Sequence, residues 1–146
     1  MEDLSKYEGD FFLFLEGGFV AINQANEDAA VKLFNACKLL QPKNLLITVG
    51  MGYLHLHKLE LKHACQCFQG VLQEDPNNDI AQALLAITLS FTPDKIAKGE
   101  KILTELVKTS SDKQVKNVAN VALDFIDNFV KKPGPAGPST PTNTKS

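Results

Sequence analysis

Two stretches of this chain match at a constant separation of 34 residues, and that period limits what the chain can fold into. Gly18 is matched by Gly52, Ala30 by Ala64, Phe34 by Phe68 and Pro42 by Pro76. A fixed period of this length marks stacked units, each too small to bury its own apolar face. The residue types say what each position does. Gly18 and Gly52 lack a side chain where the first helix of a unit must approach the second. Ala30 and Ala64 are small for the same crossing, and Phe34 and Phe68 fill the space one turn later. Pro42 and Pro76 have no N–H to continue a helix, so the second helix must stop before each of them.

The spacing small–x11–Ala–x3–Phe–x7–Pro on this period resembles the tetratricopeptide repeat, a helix–turn–helix unit. The resemblance is complete over residues 11–76. Phe14 supplies the large aromatic that such repeats place early in the first helix, whereas its counterpart Thr48 does not. A third unit follows. Asn77, Asn78 and Asp79 offer N-caps, and Ile80 to Phe91 reads as a first helix. Thr92-Pro93 reads as an N-cap followed by proline at the first helical position. Gly99 and Leu103 take the Ala and Phe places after a one-residue insertion. Ser111 or Asp112 then opens a last helix in which Val115, Val118, Ala119, Ala122, Phe125, Ile126 and Phe129 share a stripe, as in a helix that caps a solenoid. The expected fold is all-α: three helical hairpins plus a C-terminal capping helix over residues 1–132, a short solenoid with a concave groove. Residues 133–146, rich in Pro, Gly, Ser and Thr, are expected to form a disordered tail.

Composition excludes several classes. The 146 residues suffice for one stable core. A formal net charge of -2 argues against a nucleic-acid binder that works through a basic surface. The longest apolar runs, 11–15 and 45–49, are too short to span a bilayer, so no membrane insertion is expected. Glu2, Asp3 and Glu8 make the start unlike a secretory signal. With three cysteines, an odd number, a reducing cytoplasm is the expected setting. No phosphate-binding glycine loop, acid–base pair or nucleophile motif is present, so neither enzyme activity nor a cofactor is expected.

Residues 55–67 hold all three histidines and two of the three cysteines, a composition that invites a metal or nucleophile reading. The repeat absorbs it. Cys65 and Cys67 lie between Ala64 and Phe68, hence in a second helix, with Cys67 at the place of Leu33, where cysteine acts as a small hydrophobe. His55 and His57 are two apart on a helix and diverge. His63 and Cys67 can share a face, but two ligands do not close a zinc site. A Cys–His nucleophile lacks an orienting acid and an oxyanion device. The expectation is scaffold, with no metal.

The resemblance implies a ligand groove along the first helices, lined through positions 2, 5, 9 and 12 of each unit. Those are Phe12, Leu15, Phe19 and Ile22, then Leu46, Val49, Tyr53 and Leu56, then Ile80, Ala83, Ile87 and Ser90. All but Ser90 are apolar or aromatic, the chemistry that receives an amphipathic helix through its i, i+3, i+4, i+7 anchors. The places where related co-chaperones clamp a carboxylate with basic residues are held by Leu15, Phe19, Val49 and Tyr53, so no such clamp is expected. In size, charge and groove chemistry the chain most resembles the tetratricopeptide chaperones of the needle subunit in bacterial type III secretion. That resemblance implies a bacterial cytoplasmic chaperone that cradles the subunit's amphipathic helix and prevents premature polymerisation, usually with a second small helical co-chaperone. The alternatives are a translocator chaperone of the same systems, or a structural repeat protein that assembles with its own copies.

Overall fold

The computed structural model describes residues 4–131; the tail expected over 133–146 lies outside them. A 3₁₀ turn, Ser5–Asp10, leads into α1 (Phe11–Asn23), followed by α2 (Glu27–Leu40), α3 (Leu45–His57) and α4 (Leu61–Glu74). Next come α5 (Asp79–Ser90), a 3₁₀ turn at Pro93–Lys95, α6 (Ile96–Thr109) and α7 (Lys113–Phe125), which runs on into a π-helical turn at Ile126–Val130. The described residues contain no strand. α1, α3 and α5 each pack against the even helix that follows, α7 packs against α6, and consecutive odd helices also touch one another. This is the expected all-α repeat stack.

The period governs the helix ends. The odd helices begin at 11, 45, 79 and 113, a constant step of 34, and α6 starts one residue late at the expected insertion. α7 is therefore more than a cap. It stands in register as the first helix of a fourth unit. The local chemistry repeats as well: Asn44, Asn78 and Asp112, each 34 apart, accept hydrogen bonds from Leu46 N, Ala81 N and Gln114 N at 2.9, 2.9 and 2.8 Å. Such side chains satisfy N–H groups that the first helical turn leaves unpaired. The Thr92 expectation needs correction. Its side chain caps nothing, because the hydroxyl is turned back towards the Thr88 carbonyl of α5, and Pro93 opens a 3₁₀ turn before α6 instead.

Close crossings set the packing. A Cβ placed on Gly18 would come within 2.5 Å of Cε1 of Phe34, and one on Gly50 within 2.7 Å of the same atom. The Phe34 ring of α2 is thus clamped between α1 of its own unit and α3 of the next. Phe68 repeats the arrangement against Gly52, where a Cβ would come within 2.6 Å. In the third unit a Cβ on Gly99 would meet the Ala86 carbonyl oxygen at 2.6 Å, and Leu103 at the Phe place is fully buried. Phe34, Phe68 and Leu103 each anchor one of three successive core clusters that run the length of the stack. Among the described residues no helix is long and apolar enough to cross a membrane.

Gly50, unlike Gly18 and Gly52, has no glycine partner in the repeat, so it tests the clamp independently. Gly50→Leu should overpack the crossing and destabilise the chain by about 1–3 kcal/mol or more. Gly70, with open space around its Cα, should instead gain about 0.5–1 kcal/mol on replacement by alanine within α4. Urea unfolding of the two variants checks both signs.

Candidate functional site

Because the odd helices share one register, residues 34 apart come to equivalent places across the stack. Three such rungs run over the first helices. One consists of Phe19, Tyr53, Ile87 and Val121; another of Asn23, His57, Phe91 and Phe125; a third begins with Phe12, Leu46 and Ile80. Some neighbours within a rung touch. Phe19 and Tyr53 rings lie 5.5 Å apart, and Phe91 and Phe125 rings 6.3 Å apart. Tyr53 also bridges rungs: its hydroxyl donates to Asn23 Oδ1 at 3.0 Å and its ring meets His57 at 4.7 Å.

The rungs border an open depression between α5 and α7. There Ile87, Phe91, Val118, Val121, Ala122 and Phe125 line a depression of about 420 Å³ with no charged side chain on its walls. A smaller recess of about 190 Å³, walled by Ile80, Ala83, Val115 and Val118, continues it towards the start of both helices. Val118 is common to the two, so they form one trough, apolar except for Ser90, Asp112, Gln114 and Asn117 on its lining. Val121 is 62% exposed and Phe125 44%, a bareness that sets this surface apart from the covered core.

The expected groove residues fall into two groups. Leu15, Ile22, Val49 and Ala83 are buried, Val49 to 2% exposure, and neighbouring helices of the chain itself already cover them. Of these, Ala83 still floors the smaller recess. Phe12 and Ile80 are exposed, while Phe19, Leu46, Tyr53, Leu56 and Ile87 are half-buried. Phe19 stacks edge-on against Phe34 of the core at 5.7 Å. Positions 2 and 9 thus reach the open face, whereas position 5 and Ile22 turn inward. Position 13 (His57, Phe91, Phe125) was not among the expected positions, and the only sequence signal for it was the pair of aromatics 34 apart.

The expected capping stripe of α7 also divides. Val115, Ala119 and Ile126 are buried against the last core cluster. Val118, Phe125 and Phe129 remain exposed, and the first two wall the trough. At the helix-crossing position, where Gly18, Gly52 and Ala86 stand in earlier units, α7 carries exposed Asn120, and no second helix follows it among the described residues.

At the opposite end the stack is open. Leu13 is 64% exposed and Val20 is also exposed. Their repeat counterparts Ile47 and Leu54 are buried because a preceding unit covers them. Among the described residues, only the 3₁₀ turn precedes α1.

The cysteines lie in the second helices, away from the trough. Cys37 is buried with its thiol towards the Phe11 carbonyl at 3.6 Å. Burial pushes the thiols of Cys37, Cys65 and Cys67 above their ordinary value, disfavouring the reactive thiolate. His63 stacks on His55 across the α3–α4 turn. No family model, curated protein or solved structure matches the chain.

Thiol labelling provides a check on this placement. A neutral iodoacetamide reaction should modify Cys37 only after unfolding and the half-buried Cys65 and Cys67 slowly, read by mass spectrometry against a free thiol standard. Rapid modification of Cys37 in the folded chain would contradict the packing.

Proposed function

We propose that this chain is a chaperone which holds an amphipathic helix of another protein in the trough between α5 and α7. The observation that supports this most is the uncharged, apolar lining that passes through Ile87, Val121 and Phe125. Lys113 to Val130 extends about 27 Å at the rise of a helix, enough wall for four or five turns of a guest. A bare apolar surface of this kind invites aggregation, so a bound helix stabilises the chain as much as the chain shelters the helix.

On this reading the guest is a secreted helical subunit of the needle type, kept from polymerising in a bacterial cytoplasm before export. The chain then acts by burial alone, without catalysis, cofactor, nucleic acid or membrane insertion. The open end at Leu13 and Val20 offers a second apolar surface, separate from the trough, on which a small helical co-chaperone can complete the stack. A bare carboxylate finds no cation in the trough, which favours a helix over an acidic extended tail as the guest.

Phe125 and Val121 are cleaner probes than Phe19 and Tyr53, whose rings also support the core. Phe125→Ala should weaken binding of the subunit's C-terminal helix by about 2 kcal/mol, measured by titration calorimetry, while helicity stays unchanged. Val121→Asp should abolish binding. Lys38→Glu, on an exposed part of α2, should have little effect. Unchanged affinity in both trough variants, or a stable homodimer that buries the trough in sedimentation, would overturn the reading.

A further inference from the structure

We propose that the turn between α3 and α4 is a binding site for a divalent transition-metal ion of the zinc class, held by His55, Glu60 and His63. One ligand atom from each of the three lies within 4.8 Å of the others. Glu60 Oε2 stands 3.0 Å from His55 Nδ1 and 3.8 Å from His63 Nδ1. Zinc bonds of about 2.0–2.2 Å in tetrahedral geometry need ligand atoms roughly 3.3–3.5 Å apart, and the two separations bracket that value. The imidazoles lie nearly parallel, 23° apart with centroids at 5.2 Å, and each has its Nδ1 within 3.8 Å of the same carboxylate oxygen. A hydrogen bond explains the His55 approach. His63, beyond hydrogen-bond reach, stands at ion-pair distance from the same oxygen, three residues on along α4.

The backbone reason is the tight turn. Leu59 adopts φ 57, and the Glu60 N–H returns to the His55 carbonyl at 2.9 Å, which folds the start of α4 back beside the end of α3. The first repeat makes the same turn with Ala25 at φ 57. There the equivalent of Glu60 is Asn26, whose side chain caps α2 by accepting from Ala29 N at 3.1 Å. Glu60 makes no such cap and turns its carboxylate to the histidines instead. The equivalents of His55 and His63 are Ala21 and Ala29. The turn therefore needs none of the three residues for its shape, and all three ligand types occur together in this repeat alone among the two that share the turn.

The surroundings also suit a ligand set. Lys58 Nζ lies 2.7 Å from Glu60 Oε1 and 2.8 Å from Glu27 Oε1, orienting the carboxylate while its other oxygen, Oε2, faces the two histidines. Outer groups of this kind commonly fix metal-ligating carboxylates. His63 is 63% exposed, so an ion has an entry path and a coordination position open to water. Two imidazoles and one carboxylate select zinc and its neighbours over calcium or magnesium, which prefer oxygen ligands.

Titration of zinc into the full chain, under a non-chelating reductant, should show one saturable site per chain. His63→Ala and Glu60→Asn should each weaken it at least tenfold, whereas His57→Ala and the double variant Cys65→Ser/Cys67→Ser should leave it intact. Cobalt in place of zinc should give visible absorption without a thiolate charge-transfer band. The proposal is overturned if the wild-type chain shows no saturable zinc binding, if His63→Ala binds as tightly, or if the cysteine variant loses the ion. Circular dichroism on each variant separates ligand loss from unfolding, and the exposed His63 decides the matter should Glu60→Asn fail to fold.

Discussion

The ring of Phe34 is held between glycines from two other helices, and the rest of the architecture depends on that clamp. Without side chains at Gly18 and Gly50, α1 and α3 both close onto one face of α2. The contact joins a hairpin internally and joins it to the next hairpin in one step. Phe68 on Gly52 continues the stack, and Gly99 against the Ala86 carbonyl makes the third crossing with backbone in place of a ring. The stack's dimensions follow from how closely helices can approach at these points, because interiors at this density tolerate little change in volume.

A constant crossing has a functional consequence. When every first helix starts 34 residues after the last, equivalent side chains align in rungs, and a rung is a ready-made stripe for another helix to lie across. What distinguishes one part of the face from another is then the residue type on each rung. Tyr53, Asn23 and His57 satisfy one another in the first half. Ile87, Phe91, Val121 and Phe125 in the second half leave apolar surface bare. The same constancy makes departures conspicuous: Glu60 where the first repeat has a capping Asn, with two histidines where it has alanines.

Much of the fold was legible because the period is carried by residues whose types have steric meaning. Gly18, Ala30, Phe34 and Pro42 state a crossing and a stop, and their copies state it again. Less was legible where packing between units decides the outcome. Val49 and Phe19 look alike as apolar first-helix residues, yet one is covered by the chain's own helices and the other reaches the open face. The choice depends on how neighbouring helices cross, which one helix's periodicity does not contain. The meeting of His55 with His63 was hidden for another reason: the turn that brings them together has Leu59 rather than glycine in the left-handed conformation. A leucine there gives no sequence warning of a reversal that tight.

The central claim is that the Gly–Phe clamp, rather than general hydrophobicity, fixes how these helices cross. A double-mutant cycle in Gly18→Ala and Phe34→Leu, read by urea unfolding, tests it most directly. Each single change should destabilise the chain, one by overpacking and the other by leaving a void. Together they should destabilise it less than their sum, with a coupling of about 1 kcal/mol or more, because the smaller ring makes room for the added methyl. Losses that simply add, within about 0.5 kcal/mol, would show that the two residues do not form one lock and would contradict the account.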